Sequence, residues 1–252
     1  MRKLIIAILL MILLVSGGVM VYHFYEEREM EANSARAREM LDRIMPAGYE
    51  NVNNTEDYEA VSFGLNIDAI RSYFGNDDIV AHLRIEGTTI DYLVVQGNDN
   101  SFYVTHDIWR DPAASGWIFL DYEADIENMD HNWIIYGHNM QRDHKFHSLR
   151  RYASYEFFRN HPIITLTTPS GVYLWEVFSF YSTPITFSYN TVNFANPQTM
   201  QYILGHFLRM SRHDADVVVT TDDRILTLST CTNRYVNERY VLHARLIASL
   251  GI

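Results

Sequence analysis

The chain opens on an unbroken apolar run: after Met1-Arg2-Lys3, residues Leu4 to Tyr22 carry no charge. A run of that length suits a helix crossing a bilayer, for which roughly 20 residues are needed. From Glu26 to Met45 the pattern shifts to Glu, Arg, Ala and Met, with Met30, Met40, Leu41 and Ile44 as scattered apolar positions before Pro46 and Gly48. This predicts a helical stalk. The polar, Asn-containing stretch Tyr49 to Asp57 reads as a loop, and Ala60 to Phe74 as a further helix packing on the domain.

Beyond Phe74 the pattern becomes that of strands. Ile79 to Ile85 and Thr89 to Gln96 flank Glu86-Gly87-Thr88 as a hairpin. Further β-rich runs are Trp117 to Leu120, Trp133 to Tyr136, Ile163 to Thr167, Val172 to Tyr181, Val217 to Thr220, Ile225 to Thr230 and Tyr240 to Ala248. Thr168-Pro169-Ser170-Gly171 and Thr221-Asp222-Asp223 supply turn residues between neighbours. Helices interrupt the strands near Phe146 to Phe158 and at Pro197 to Arg212, the latter with Asn196 as N-cap and Pro197 in the first helical position. About eight strands in one domain predict a mainly β fold closed into a barrel.

Charge orients the chain. Arg2 and Lys3 precede the apolar run while Glu26, Glu27 and Glu29 follow it, so the N-terminus is expected in the cytoplasm and the remainder outside. A cleaved signal peptide is the alternative, because Ser16-Gly17-Gly18 offers small residues near a processing site. Continuation of the run through Val19, Met20 and Val21 favours a retained anchor. The organisation expected is an anchor over 1–25, a stalk and linker over 26–58, and one extracellular domain over 59–252. A net charge of −11 leaves no basic stripe for a phosphate backbone, so nucleic acid is not an expected partner.

The chain has one cysteine, Cys231. An exported domain with a single thiol has no internal disulfide and must rely on one sizeable core. Cys231 ends the run Ile225-Leu226-Thr227-Leu228-Ser229-Thr230 and opens a polar loop, a position that suits chemistry better than packing. A thiol of ordinary pKa, about 8.5, is only a few per cent ionised at neutral pH and needs a cation or base beside it. Among eleven histidines, His82, His161, His206 and His243 read as surface or satisfied structural residues. His138 differs: it follows Trp133-Ile134-Ile135-Tyr136 and Gly137, just past a buried strand.

Strand alternation selects the cation. Thr227, Ser229 and Cys231 share one face, as do Arg239, Val241, His243 and Arg245 in the next run. Antiparallel pairing across Thr232 to Glu238 makes these polar faces coincide, so Cys231 and Arg239 meet at the mouth. Arg234 lies within the loop and has no such constraint, which favours Arg239.

Three segments now carry a resemblance. Thr227-Leu228-Ser229-Thr230-Cys231, Tyr136-Gly137-His138-Asn139-Met140 and Arg239-Tyr240-Val241-Leu242-His243-Ala244-Arg245-Leu246 resemble the active-site motifs of sortases, most closely class B. Leu65-Asn66-Ile67-Asp68, Val94 to Tyr103 and His106-Asp107 extend the likeness over roughly Ala60 to the C-terminus. The stretch Gln141 to His147, with His144 and His147, stands where a small-residue turn is expected.

The resemblance implies an eight-stranded β-barrel with N-terminal helices and a helix in the connection before the cysteine strand. It implies Cys231 as nucleophile, His138 as acid/base and Arg239 as transition-state stabiliser, with no cofactor and no metal. It also implies Asn100, Val104, Thr183 and Tyr189 along a substrate groove, with Tyr136, Ser229 and Thr230 supporting it. Partners would be secreted proteins bearing a C-terminal sorting motif, NPQTN-like or LPXTG-like, and an amine of peptidoglycan or its lipid-linked precursor. Pilin polymerisation is an alternative task for the same chemistry. Asn196-Pro197-Gln198-Thr199 is similar to such a signal, but helix capping accounts for it. The rival readings are a zinc hydrolase built on His138 with His131, His144 or His147, a non-catalytic binding protein on the same fold, and a thiol protease that only hydrolyses.

Overall fold

A computed structural model describes residues 2–44, 65–140, 144–231 and 237–251. The expected loop Tyr49 to Asp57, the first residues of the Ala60 to Phe74 helix and Arg234 lie outside these. Helix α1 spans Arg2–Ile44, α2 Ile67–Phe74, α3 Tyr155–Asn160 and α4 Pro197–Met210. The strands are β1 Ile79–Ile85, β2 Asp91–Val95, β3 Phe119–Leu120, β4 Asn132–Tyr136, β5 Ile163–Thr168, β6 Gly171–Pro184, β7 Ile225–Cys231 and β8 Glu238–Gly251. They close into a barrel in the order β1-β2-β3-β4-β7-β8-β6-β5.

Local chemistry accounts for the helix limits. Asn66 caps α2 by accepting from the Ala69 N–H, and Gly75 ends it in the left-handed conformation at φ 61°. Asn196 caps α4 by accepting from the Thr199 N–H, with Pro197 inside the first turn as expected. The hairpin between β1 and β2 turns on Gly87 at φ 71°, a backbone state that glycine adopts without steric cost.

Strands β6, β7 and β8 are packed on both faces. Inside the barrel, Trp133, Trp175, Leu226 and Leu242 join the main core. On the other face Phe178, Tyr181 and Val241 meet Met200, Leu204 and Phe207 of α4. At roughly 1.5–3 kcal/mol for each large side chain buried, these two layers fix the strand order against which the polar residues are placed.

One expectation is corrected. Val217 to Thr220 is not a strand: Asp216 turns the chain at φ 52°, Thr220 is held in a turn by the Asp223 carboxylate, and Val218 is exposed. A closed barrel has no free edge for it to join. The apolar segment and the stalk that follows it form one helix, α1, which runs unbroken through residues 25 and 26. Its Met30, Ser34, Ala37 and Leu41 are buried, at the spacing of one helical face, so the stalk is docked on the domain. By length and composition α1 could cross a membrane.

His243 shows how the strand pairing handles buried polar atoms. Thr227 Oγ1 donates to Asn132 Oδ1 at 2.7 Å and therefore accepts from His243 Nδ1 at 2.9 Å. That leaves Nε2 to accept from the Tyr181 hydroxyl, also at 2.9 Å. The ring stacks on Phe207 with centroids 3.7 Å apart. Burial holds its pKa well below the ordinary imidazole value. An unfolded chain takes up this proton near pH 6.5 while the native state refuses it, so the group costs stability only below about that pH. The melting temperature, followed by circular dichroism, is expected to fall from about pH 7 to about pH 5, and less steeply in His243→Gln, whose amide does not titrate.

Candidate active site

Three strand ends open at one mouth. β4 runs parallel to β7, with Tyr136 opposite Ser229, and β7 runs antiparallel to β8, with Ser229 opposite Val241 and Cys231 opposite Arg239. The C-terminal ends of β4 and β7 and the N-terminal end of β8 therefore coincide, as alternation predicted for the last two. A cleft of about 410 Å³ lies there. It is lined by His138 and Arg239, by the expected Asn100, Val104, Tyr136, Tyr189, Ser229 and Thr230, and by Phe119, Gly137, Ile185 and Asn190, which the sequence reading missed.

Thr183 is placed differently from expectation. It is buried directly opposite Arg239 in the β6–β8 ladder, beside the cleft and not among the described residues that line it. Its hydroxyl donates to the Pro184 carbonyl at 3.4 Å. The strand pairing that brings it next to Arg239 also covers it.

His138 is fixed from two sides. Its Nε2 lies 2.8 Å from the Val104 carbonyl oxygen, which can only accept, so the neutral ring carries its proton on Nε2 and leaves Nδ1 free to take one. Its own carbonyl accepts from the Phe146 N–H at 2.9 Å. Burial depresses the imidazole pKa, the Lys145 and Arg239 charges add to this, and the Val104 carbonyl opposes it. The ring is thus held neutral near pH 7, in the form that can act as a base.

A buried carboxylate organises the facing wall. Asp121 accepts from the Tyr136 hydroxyl at 2.8 Å and from Asn100 Nδ2 at 2.9 Å through one oxygen, and from the Glu123 N–H at 3.0 Å through the other. Asn100 Oδ1 accepts from the Tyr122 N–H at 3.0 Å, so both ends of that amide are committed and its orientation is set. Burial raises the Tyr136 phenol pKa, followed by the charge of Asp121, so it remains a donor. Tyr189 and Ser229 share a hydroxyl–hydroxyl bond of 2.8 Å. Asp121 escaped the sequence reading because Leu120-Asp121-Tyr122 looks like a strand end followed by a solvated carboxylate.

The other histidines near this mouth have partners of their own. His147 Nδ1 meets Asn139 Oδ1, and His144 Nε2 lies 3.5 Å from Glu31 Oε1 of α1.

Comparison with known proteins agrees with this architecture. The family model described as the sortase domain matches residues 83–247. The chain is 32% identical to sortase B of Staphylococcus aureus over 243 residues, covering 95% of this chain and 94% of that protein. It is 35% identical to sortase B of Listeria monocytogenes over 174 residues, covering 68% and 71% respectively. The crystal structure of S. aureus sortase B superposes with a TM-score of 0.73 at 29% identity, covering 88% of this chain and 98% of that one. Clostridium perfringens sortase B gives 0.68 at 33% identity, covering 72% and 100%. A closed mixed barrel with this cleft and these relatives defines a cysteine transpeptidase. The chain belongs to the sortase family, and within it to class B.

Gly137 sets how closely His138 approaches the barrel. A Cβ there would lie 2.9 Å from Phe146 Cδ2 and also collide with Ile118. Gly137→Ala is expected to lower stability by about 1–3 kcal/mol, as overpacking does, and to lower turnover by displacing the imidazole. Chemical denaturation and steady-state kinetics check the two effects separately.

Proposed function

We propose that the protein is a membrane-anchored sortase that cleaves a C-terminal sorting motif of secreted proteins and transfers the acyl part to an amine of peptidoglycan or its lipid-linked precursor. The observation that carries this reading is the pairing of Cys231 with Arg239 at the mouth that also holds a neutral His138. One structure of the S. aureus relative is described as a sortase B–substrate complex, which supports a peptide in the corresponding cleft.

The chemistry follows from the residue types. His138 takes the Cys231 thiol proton, and the thiolate attacks the scissile carbonyl, where Arg239 faces the developing oxyanion. Collapse breaks the C–N bond. The imidazolium gives its proton to the departing amine, and a thioester remains. An incoming amine then attacks the thioester, His138 accepts its proton, and the thiol is restored as the new amide forms. The thioester keeps most of the acyl-transfer potential of the amide, so the exchange needs no nucleotide outside the cell. Asn100, Val104, Tyr136, Tyr189, Ser229 and Thr230 would seat the motif, NPQTN-like or LPXTG-like, with Thr183 supporting Arg239.

The apolar part of α1 would hold the enzyme in the membrane, Arg2 and Lys3 on the cytoplasmic side and the barrel on the extracellular face. This rests on the length of that segment, its exposure from Leu4 to Tyr22 and the basic residues before it.

Incubating the full chain with peptides carrying each motif and with candidate amines should give a ligated product by mass spectrometry; only hydrolysed peptide would mark a thiol protease instead. Cys231→Ala is expected to abolish product. His138→Ala and Arg239→Ala should each lower turnover on the order of 10²- to 10³-fold, the scale of losing one oxyanion donor or acid/base group. Arg234→Ala should retain it, and an Arg239→Ala enzyme as active as wild type would remove the arginine from the mechanism.

A further inference from the structure

Two separate segments of the barrel fix His138, and helix α1 grips both. One is the segment after β2, whose Val104 carbonyl meets His138 Nε2 at 2.8 Å. Three residues on, Asp107 Oδ2 accepts from Asn33 Nδ2 of α1 at 2.8 Å, while Oδ1 accepts from the Trp109 and Asp111 N–H groups. Asp107 is thus the knot of that segment, and α1 is tied to it.

The other segment returns after His138. Asn139 pairs with Lys145 in an isolated antiparallel bridge, and the Phe146 N–H donates to the His138 carbonyl. This returning arm lies against α1: His144 Nε2 is 3.5 Å from Glu31 Oε1. Lys145 comes next with φ 54° and ψ −127°, a backbone state that residues with a Cβ adopt only under restraint. The Tyr92 hydroxyl accepts its N–H at 3.0 Å. Tyr92 in turn lies under the Arg38 guanidinium of α1, 5.5 Å from the ring centroid, and Arg38 Nη2 donates to the Thr89 carbonyl at 3.1 Å.

Lys145 also records the docking. Apart from Lys3 it is the only lysine in the sequence, and it is fully buried. Its Nζ sits 3.5 Å from the Trp117 ring centroid. Together with Glu29, Met30 and Asn33 of α1 it lines a cavity of about 190 Å³. Burial pulls the amine pKa well below its ordinary value, with Asp107 opposing and Arg38 reinforcing the shift. Lifting α1 would expose this amine and release both segments that hold His138.

We propose that α1 is a positioning element of the active site as well as a tether: through Asn33–Asp107 and Glu31–His144 it holds the two segments that fix the His138 imidazole. This rests on the role given to His138 above, and it assigns His144 and Lys145 a part in that role although neither lines the cleft.

The test uses the full chain in detergent micelles. Glu31→Ala/Asn33→Ala removes both ties, and Ala37→Arg drives a charged side chain into the buried face of the helix. Each variant is assayed with the motif peptide that wild type turns over, and Lys145 is probed by reductive methylation with formaldehyde and borohydride, read by mass spectrometry. A misplacement of about 1 Å can cost on the order of 10²-fold in rate, so kcat should fall at least about tenfold with KM within about twofold. Lys145 should become methylated, and the barrel melting temperature should hold. Unchanged kcat overturns the proposal, and so does a fall in kcat accompanied by loss of barrel melting or by a Lys145 that stays protected. Should wild type turn over no peptide, the functional reading fails; methylation of Lys145 in wild type as fast as in the variants would then by itself refute the docking.

Discussion

The site depends on one constraint, the register of β7 between β4 and β8. Cys231 pairs with Arg239 only because Ile225 pairs with Arg245 at the far end of the same ladder and every intermediate residue stays in step. A slip of one residue would send each side chain of β8 to the opposite face. Such a slip is costly because neither face is free: Leu226, Leu228 and Leu242 belong to the barrel core, while Ile225 and Val241 belong to the layer under α4. The apolar residues thus hold in place a geometry that the polar residues use.

Polar groups buried in this framework keep chosen protonation states. His243 and His138 are both held below the usual imidazole range chiefly by burial, and each has a hydrogen-bond pattern that names its tautomer. Tyr136 remains a phenol beside the Asp121 carboxylate. A buried polar atom without a partner is costly, so these chains of bonds do more than adorn the cleft. Asp121 turns a strand end, an asparagine and a tyrosine into one rigid wall. A cysteine transpeptidase has to hold its acyl intermediate while one amine leaves and another enters, and a cleft with fixed donors and a neutral base suits both halves of that exchange.

Much of this was legible in the residues alone. Runs of β-branched and aromatic residues located β1, β2 and β4 to within a residue or two, and period-two alternation named Arg239 as the partner of Cys231 in the ladder. Asn196-Pro197 marked the start of α4 because capping is chemistry local to a few residues. The failures share a cause. Val217 to Thr220 has the composition of a strand, yet pairing requires an open edge, and whether the barrel leaves one is not a property of that segment. The burial of Thr183 and of Asp121 was not legible because burial depends on which strand lies alongside.

The sequence by itself determined the order of elements, the single thiol, the apolar segment near the N-terminus and the three motifs that mark a sortase, since these depend on residue type and spacing along the chain. Tertiary structure alone decided that Asp121 backs the cleft, that α1 lies on the segments holding His138, and that Lys145 is sealed beneath it. Those facts join residues tens of positions apart, and only closure of the barrel, a property of all the strands together, brings them within bonding distance.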